Sequence, residues 1–432
     1  MKQLLYGISL ILVLLVFNNC KTPVSQNSDA EITKKIDSLL NVKSYFLAQS
    51  VYKENSHLLN EFQKLRLGAV LHNLFNDLET SRREINVLFD QYQDSLSNDQ
   101  AKDLYNVQIS NHVKLFEYAK VVESTEILLT QYKKVLSDKE AYDLKNNAII
   151  WNAVSSFPEQ KLYKENDSHI PLFSEIAGLK SFHIAYDTLK VPFIFDTGAN
   201  LSVIIESVAK KMNMQIQDSS VEVNTITGQR IAAHIAVAPY FTIQNMRVEN
   251  VVFLVFPDEA LYIPQIDFQI QGILGYPVIE AMGEIHFLKN DHIYVPLTGT
   301  LNCEPNMAIE YLTPYINLFS EGTPLYFSFD TGADSTILYK KYYETFRDSI
   351  TKNYDQTEVR FAGAAGAIEK EGYKISFTAA VDKMMVTIDS VTVLKESLSK
   401  SDDHVYGNIG QDFIQKFDKM ILNFDTMCIY FE

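Results

Sequence analysis

The stretch VPFIFDTGANLSVI, residues 191–204, runs an apolar segment of strand-like composition directly into Asp196, Thr197 and Gly198. A carboxylate at the mouth of an apolar strand is costly to desolvate, so it needs a partner, hydrogen-bond donors or a proton-handling task. Alone, the triplet reads as a turn, because Asp and Gly form turns and Thr suits strand ends.

The pattern returns in LYFSFDTGADSTIL, residues 325–338, where Asp330, Thr331, Gly332 and Ala333 follow another aromatic, β-prone run. Each copy carries a hydroxyl residue six positions after the acid, Ser202 or Thr336, and then an apolar pair, Val203-Ile204 or Ile337-Leu338. Further on, GILGYPVIEAM places Gly275 after Asp196, and GNIGQDFIQKF places Gly410 after Asp330, with spacings from acid to glycine that differ by a single position. Register kept over such a distance implies two units of common architecture.

The elements that must hold these acids are short. Beyond residue 160 the texture is SFHIAY, the turn DTLK, VPFIF, then RIAAHIAV, VENVVFLVF and EIHFL, which predicts a compact β unit. After a break at PLTGTLNCEPN, residues 296–306, it repeats from AIEYLTPYINLF through the turn SEGT to PLYFSF. Each unit ends on an apolar strand pair, GEIHFLKNDHIYVP and DKMILNFDTMCIYFE. Ahead of them, residues 31–157 hold no Pro and only Gly68, with apolar residues at helical spacing such as Leu67, Val70, Leu71 and Leu74. This predicts amphipathic helices joined by polar turns such as SNDQ and SDKE.

At 432 residues and 47% hydrophobic content the chain can bury several cores and should divide into two or three domains. Its net charge of −16, without a Lys/Arg stripe interleaved with aromatics, excludes general nucleic-acid binding. Of three cysteines, Cys303 and Cys428 lie in the body of the chain. They are expected as two unpaired, partly buried thiols, with a single bridge as the alternative. Zinc signatures such as H-E-x-x-H or paired C-x-x-C are absent from the sequence, and no metal or cofactor is expected.

The first twenty residues, MKQLLYGISLILVLLVFNNC, combine an early Lys, an apolar run from Leu4 to Phe17, and Cys20. The run is short of the ~20 residues of a membrane span and reads as an export signal. The placement of Cys20 resembles a bacterial lipoprotein signal, which implies lipidation there, although Asn18 and Asn19 depart from the usual small residues. Ordinary secretion is the alternative. Residues 21–30 would then be a tether, and the expected location is a bacterial cell envelope, lipid-anchored and facing periplasm or exterior.

Strand, D-T-G-A, a Gly-containing hairpin and then two apolar residues with Gly before a short helix, twice in order, resemble the aspartic peptidases. The short lobes are similar to the retroviral type, here fused in tandem over residues 165–298 and 306–432. The resemblance implies a multidomain chain: an all-α helical region at 31–160, then an all-β bilobal aspartic peptidase fold. It implies that Asp196 and Asp330 form a carboxylate pair sharing one proton and hydrolysing a peptide bond with water. With both lobes in one chain, a dimer is unnecessary for the pair. Thr197 and Thr331 would hydrogen-bond across the lobe junction, while Gly198 and Gly332 let backbone N–H groups approach the acids. Ala199 and Ala333 would leave room beside them. Asn200 and Asp334 match the position that touches substrate backbone in retroviral relatives, with a solvent-facing turn as the alternative. Flap hairpins are expected at Thr227 and Gly228 and at Gly363 and Gly366, which ordinary β-turns would equally explain.

The helical segment carries an internal echo. Leu-Phe recurs at 74 and 115, and Gln-Tyr at 91 and 131. It resembles helix hairpins of the tetratricopeptide type, which implies a protein partner on this region; a plain helical bundle serving as spacer is the alternative. Two functions remain open at this point: an exported aspartic endopeptidase acting on a peptide or protein substrate, or a non-catalytic peptide- or partner-binding lipoprotein using the same cleft.

Overall fold

The computed structural model describes residues 28–175, 179–224, 230–320, 322–363, 366–381, 384–398 and 403–432. Cys20, Thr227 and Gly228 lie outside them, as do the export signal and most of the expected tether. No helix among the described residues is long and apolar enough to cross a membrane.

Among the described residues, seven helices come first: α1 (Asp29–Asn41), α2 (Tyr45–Asn55), α3 (Glu61–Leu74), α4 (Leu78–Gln91), α5 (Asn98–Lys114), α6 (Tyr118–Gln131) and α7 (Asp138–Val154). The polar turns seen in the sequence are their start signals. Ser28 with Glu31, Ser97 with Gln100 and Ser137 with Glu140 each form a capping box, which satisfies otherwise orphaned N–H groups of the first turn. Asp29, expected in the tether, therefore already opens α1.

The sequence echo is a repeated helix hairpin. The α3–α4 corner turns at Asn76 in a left-handed conformation, with the Asp77 N–H donating to the His72 carbonyl at 2.8 Å. The α5–α6 corner repeats this at Phe116, with the Glu117 N–H on the His112 carbonyl at 2.8 Å. Ile85 and Leu88 of α4 pack with Ala69 and Leu104, while Val121, Leu128, Trp151 and Val154 join the large core that runs through the β lobes.

Two mixed sheets of nine and eight strands form the lobes, and they share one wiring. In the first lobe the acid-bearing strand Leu189–Phe195 runs parallel to Gly272–Leu274, with Ile194 opposite Ile273 and Phe195 opposite Leu274. In the second, Thr323–Phe329 runs parallel to Gly407–Ile409, with Ser328 opposite Asn408 and Phe329 opposite Ile409. The closing strand pairs do not stay within their lobes. Glu284–Leu288 pairs antiparallel with Lys419–Asn423, so that one five-stranded sheet ties the lobes together.

That shared sheet corrects the expectation of two free thiols. Asn306 clamps the backbone of Ile429 from the edge, donating to its carbonyl at 2.9 Å and accepting its N–H at 2.8 Å. The inter-lobe connection is thereby laid along the last strand, and Cys303 and Cys428 come to a Cα separation of 6.0 Å and are joined as a disulfide.

Helices and lobes meet through polar contacts as well. The side-chain amide of Asn146 on α7 pairs with both backbone groups of Glu222, at 3.0 and 3.2 Å. Lys43 meets Glu310 at 2.6 Å. Lys114, fully enclosed, donates to the carbonyls of Asn73 and Ile309, and burial lowers its pKa to about 8.

Candidate active site

Each acid stands at the end of its parallel strand, where the chain turns sharply and presents N–H groups back to the side chain. Asp196 Oδ1 accepts from the N–H of Gly198 at 2.8 Å and of Ala199 at 3.1 Å. Asp330 Oδ1 accepts from Gly332 at 2.8 Å and Ala333 at 3.0 Å. The two D-T-G turns therefore have the same internal geometry.

The glycines are required by space. A Cβ on Gly198 would lie 2.6 Å from Cγ of Asp330, and one on Gly332 would lie 2.3 Å from Cγ of Asp196. Each turn thus presses its glycine against the opposite carboxyl group, and the two acids are brought face to face and hydrogen-bonded to each other. Burial, the neighbouring charge of Asp330 and the hydrogen bond with it push the Asp196 carboxyl well above its ordinary value. The N–H groups of Gly198 and Ala199 oppose this. One proton shared by two carboxyls is the state such a pair favours between its two titration steps.

Behind the acids the threonines cross. The Thr197 N–H donates to Oγ1 of Thr331 at 3.0 Å, and the Thr331 N–H donates to Oγ1 of Thr197 at 3.0 Å. Each hydroxyl then donates onward, Thr197 to the Phe329 carbonyl at 3.0 Å and Thr331 to the Phe195 carbonyl at 2.9 Å. All donors and acceptors of this buried crossing are satisfied, and the lobes are locked where the acids need fixed separation.

The hydroxyl six residues after each acid has a local task. Ser202 Oγ accepts the N–H of Gly275 at 3.0 Å, and Thr336 Oγ1 accepts that of Gly410 at 3.1 Å. Ala199 and Ala333 receive through their carbonyls the N–H groups of Tyr276 and Gln411, at 2.8 and 2.9 Å. These bonds stitch the acid turn to the Gly turn within each lobe. That explains why the two glycines keep nearly equal distances from their acids in the chain.

The outer candidates are less closely drawn in. Asn200 is exposed and its Oδ1 accepts from Thr313 of the second lobe at 3.1 Å. Asp334 is exposed and accepts from Ser335 at 3.0 Å. Gly363 and Gly366 pair directly across the hairpin of strands Gln356–Gly363 and Gly366–Val381. In the first lobe the corresponding hairpin is described up to Asn224 and from Arg230.

Two residues at the pair escaped the sequence reading. Asn408 donates from Nδ2 to Oδ2 of Asp330 at 3.2 Å, and Ser328 Oγ donates to Oδ1 of Asn408 at 2.6 Å. Their signal lay in comparing GNIG with GILG and FSFD with FIFD, where a polar residue replaces isoleucine each time.

The aspartyl protease family model matches residues 183–278, which contain the first D-T-G turn and Gly275. This match supports an aspartyl protease domain in the β region. No curated protein matches the chain. Among solved structures, basic 7S globulin from soybean is similar over 62% of this chain and 95% of that one, at 11% identity and a TM-score of 0.40.

Proposed function

We propose that the chain is an aspartic endopeptidase in which Asp196 and Asp330 hydrolyse peptide bonds with an activated water. One observation carries this reading: both D-T-G turns are intact and each glycine lies against the opposite carboxyl, so the two acids face each other and burial with the neighbouring charge pushes the Asp196 carboxyl up. The ionised carboxyl takes a proton from water, and the oxygen adds to the scissile carbonyl carbon. The protonated carboxyl hydrogen-bonds to the carbonyl oxygen as negative charge develops there. Collapse of the tetrahedral intermediate breaks the C–N bond, with a proton delivered to the leaving nitrogen. No bond forms between enzyme and substrate.

The reading extends to export and lipid anchoring at Cys20, supported by the charged start, short apolar run and Cys of MKQLLYGISLILVLLVFNNC. Membrane fractionation of the parent and of Cys20→Ala tests this part, with release of the variant as the expected result.

For catalysis, the chain lacking residues 1–20 is incubated with a mixed peptide library across pH, beside Asp196→Asn and Asp330→Asn. Cleavage by the parent alone, blocked by a statine-type inhibitor, is expected. A silent parent, or equal cleavage by all three proteins, overturns the reading.

A further inference from the structure

The pair is nearly symmetric, but the side chains that can donate to the acids themselves differ between the lobes. Thr197 matches Thr331, Gly198 matches Gly332, and Ala199 matches Ala333, with the same bonds in each lobe. Beside Asp196, the strand partners Ile194 and Ile273 offer only hydrocarbon. Beside Asp330, the same register positions hold Ser328 and Asn408.

The consequence is a different number of donors. Asp196 accepts its backbone N–H bonds on Oδ1. Asp330 accepts the equivalent pair on Oδ1 and a third, from the Asn408 amide, on Oδ2 at 3.2 Å. The amide is oriented. Ser328 Oγ donates to Oδ1 of Asn408 at 2.6 Å, the shorter of its two contacts (the Gly407 carbonyl lies at 3.3 Å), and with Oδ1 engaged there the NH₂ end faces Asp330. An N–H donor on a carboxylate oxygen favours the charged form, and it competes with a proton on that oxygen.

We propose that Asn408, oriented by Ser328, is a positioning residue that seats the single shared proton of the pair on Asp196, leaving Asp330 as the ionised base. Asp330 then takes the proton from water, while the O–H of Asp196 hydrogen-bonds to the scissile carbonyl oxygen. Other carboxylates on the flanking turns are otherwise engaged: Asp412 accepts from the N–H and hydroxyl of Thr336, and Asp334 accepts from Ser335. The kinetic arm of the test rests on the proposed peptidase activity; the spectroscopic arm does not.

The test compares the parent, Asn408→Ile, Ser328→Ala and Asn408→Asp, in kcat/KM against pH and in carbonyl-labelled aspartate NMR titrations assigned with Asp196→Asn and Asp330→Asn. In Asn408→Ile, which restores the side chain of the first lobe, the acidic limb is expected to move up by about one pH unit, because one donor to the ionised acid is gone. Ser328→Ala should shift it less, in the same direction. Asn408→Asp should lose activity as pH rises and its new carboxyl ionises against Asp330. By NMR the parent should ionise first at Asp330, and in Asn408→Ile that step should move to higher pH. An acidic limb unmoved in Asn408→Ile, with only KM altered, overturns the proposal by showing that Asn408 is wall. If the parent cleaves nothing, the NMR arm still decides, and an ionisation order unchanged by Asn408→Ile overturns it.

Discussion

Thr197 and Thr331 exchange backbone N–H bonds through each other's hydroxyls, and each hydroxyl passes its own hydrogen to the strand that bears the opposite acid. The four bonds are buried, so a valine at either position leaves one N–H and one carbonyl unpaired. Thr197→Val is expected to cost about 2–4 kcal/mol, whereas Thr197→Ser, which keeps the hydroxyl, stays near the parent. Urea unfolding measures both, and a valine variant as stable as the serine variant contradicts the assignment.

That crossing was expected only from the resemblance to aspartic peptidases, whereas the acids sit inside a motif written twice in the chain, with a hydroxyl six residues on and a glycine, Gly275 or Gly410, at a nearly equal distance downstream. Repetition made the acids and their turns legible, since each feature is local and its copy is an independent witness. The cystine was not legible: Cys303 and Cys428 meet only because the last strand of each lobe joins a common sheet, a pairing that periodicity does not encode. The polar stretches SNDQ and SDKE, expected as joining turns, mark helix starts: only Ser97 and Ser137 lie outside α5 and α7, as caps, and the capping boxes follow from the Ser and Gln or Glu three residues apart. Asn408 was overlooked for another reason. It occupies an apolar slot of the repeat, and attention to what the copies share hid the place where they differ.

Gly198 and Gly332 permit the approach of the two carboxyls, since a methyl group on either would meet the opposite Asp within 2.6 Å. Gly198→Ala should therefore push Asp330 aside and lower kcat/KM by about 100-fold or more, as misplacement near 1 Å can do. The remote helical region should be untouched. Peptide cleavage and circular dichroism together check this, and an alanine variant of parental activity would refute the close packing of the turns.

The disulfide closes a loop of 125 residues that contains the whole acid-bearing part of the second lobe. Loop closure on that scale restricts the unfolded chain and supplies about 3–5 kcal/mol. A Cys303→Ser/Cys428→Ser double variant should lower the unfolding free energy by that amount. Reductant should shift the parent's urea midpoint and leave the double variant's in place. Free-thiol titration of the unfolded, unreduced chain lacking residues 1–20 should find no reactive sulfur, and two would contradict the bridge.

Stability should also depend on pH through the pair itself. The folded Asp196 carboxyl titrates well above 3.8, because burial and the adjoining Asp330 disfavour its charge. Between the unfolded and folded values the native state therefore holds a proton that the unfolded chain has released. The stability that this group contributes is full below the unfolded value and is lost as pH rises through the folded value. Asp196→Asn removes the second charge and with it the loss. Urea midpoints measured from pH 4 to pH 8 should show the variant gaining on the parent as pH rises. A parent that instead gains on the variant over this range would mean that the two carboxyls do not repel each other in the folded chain.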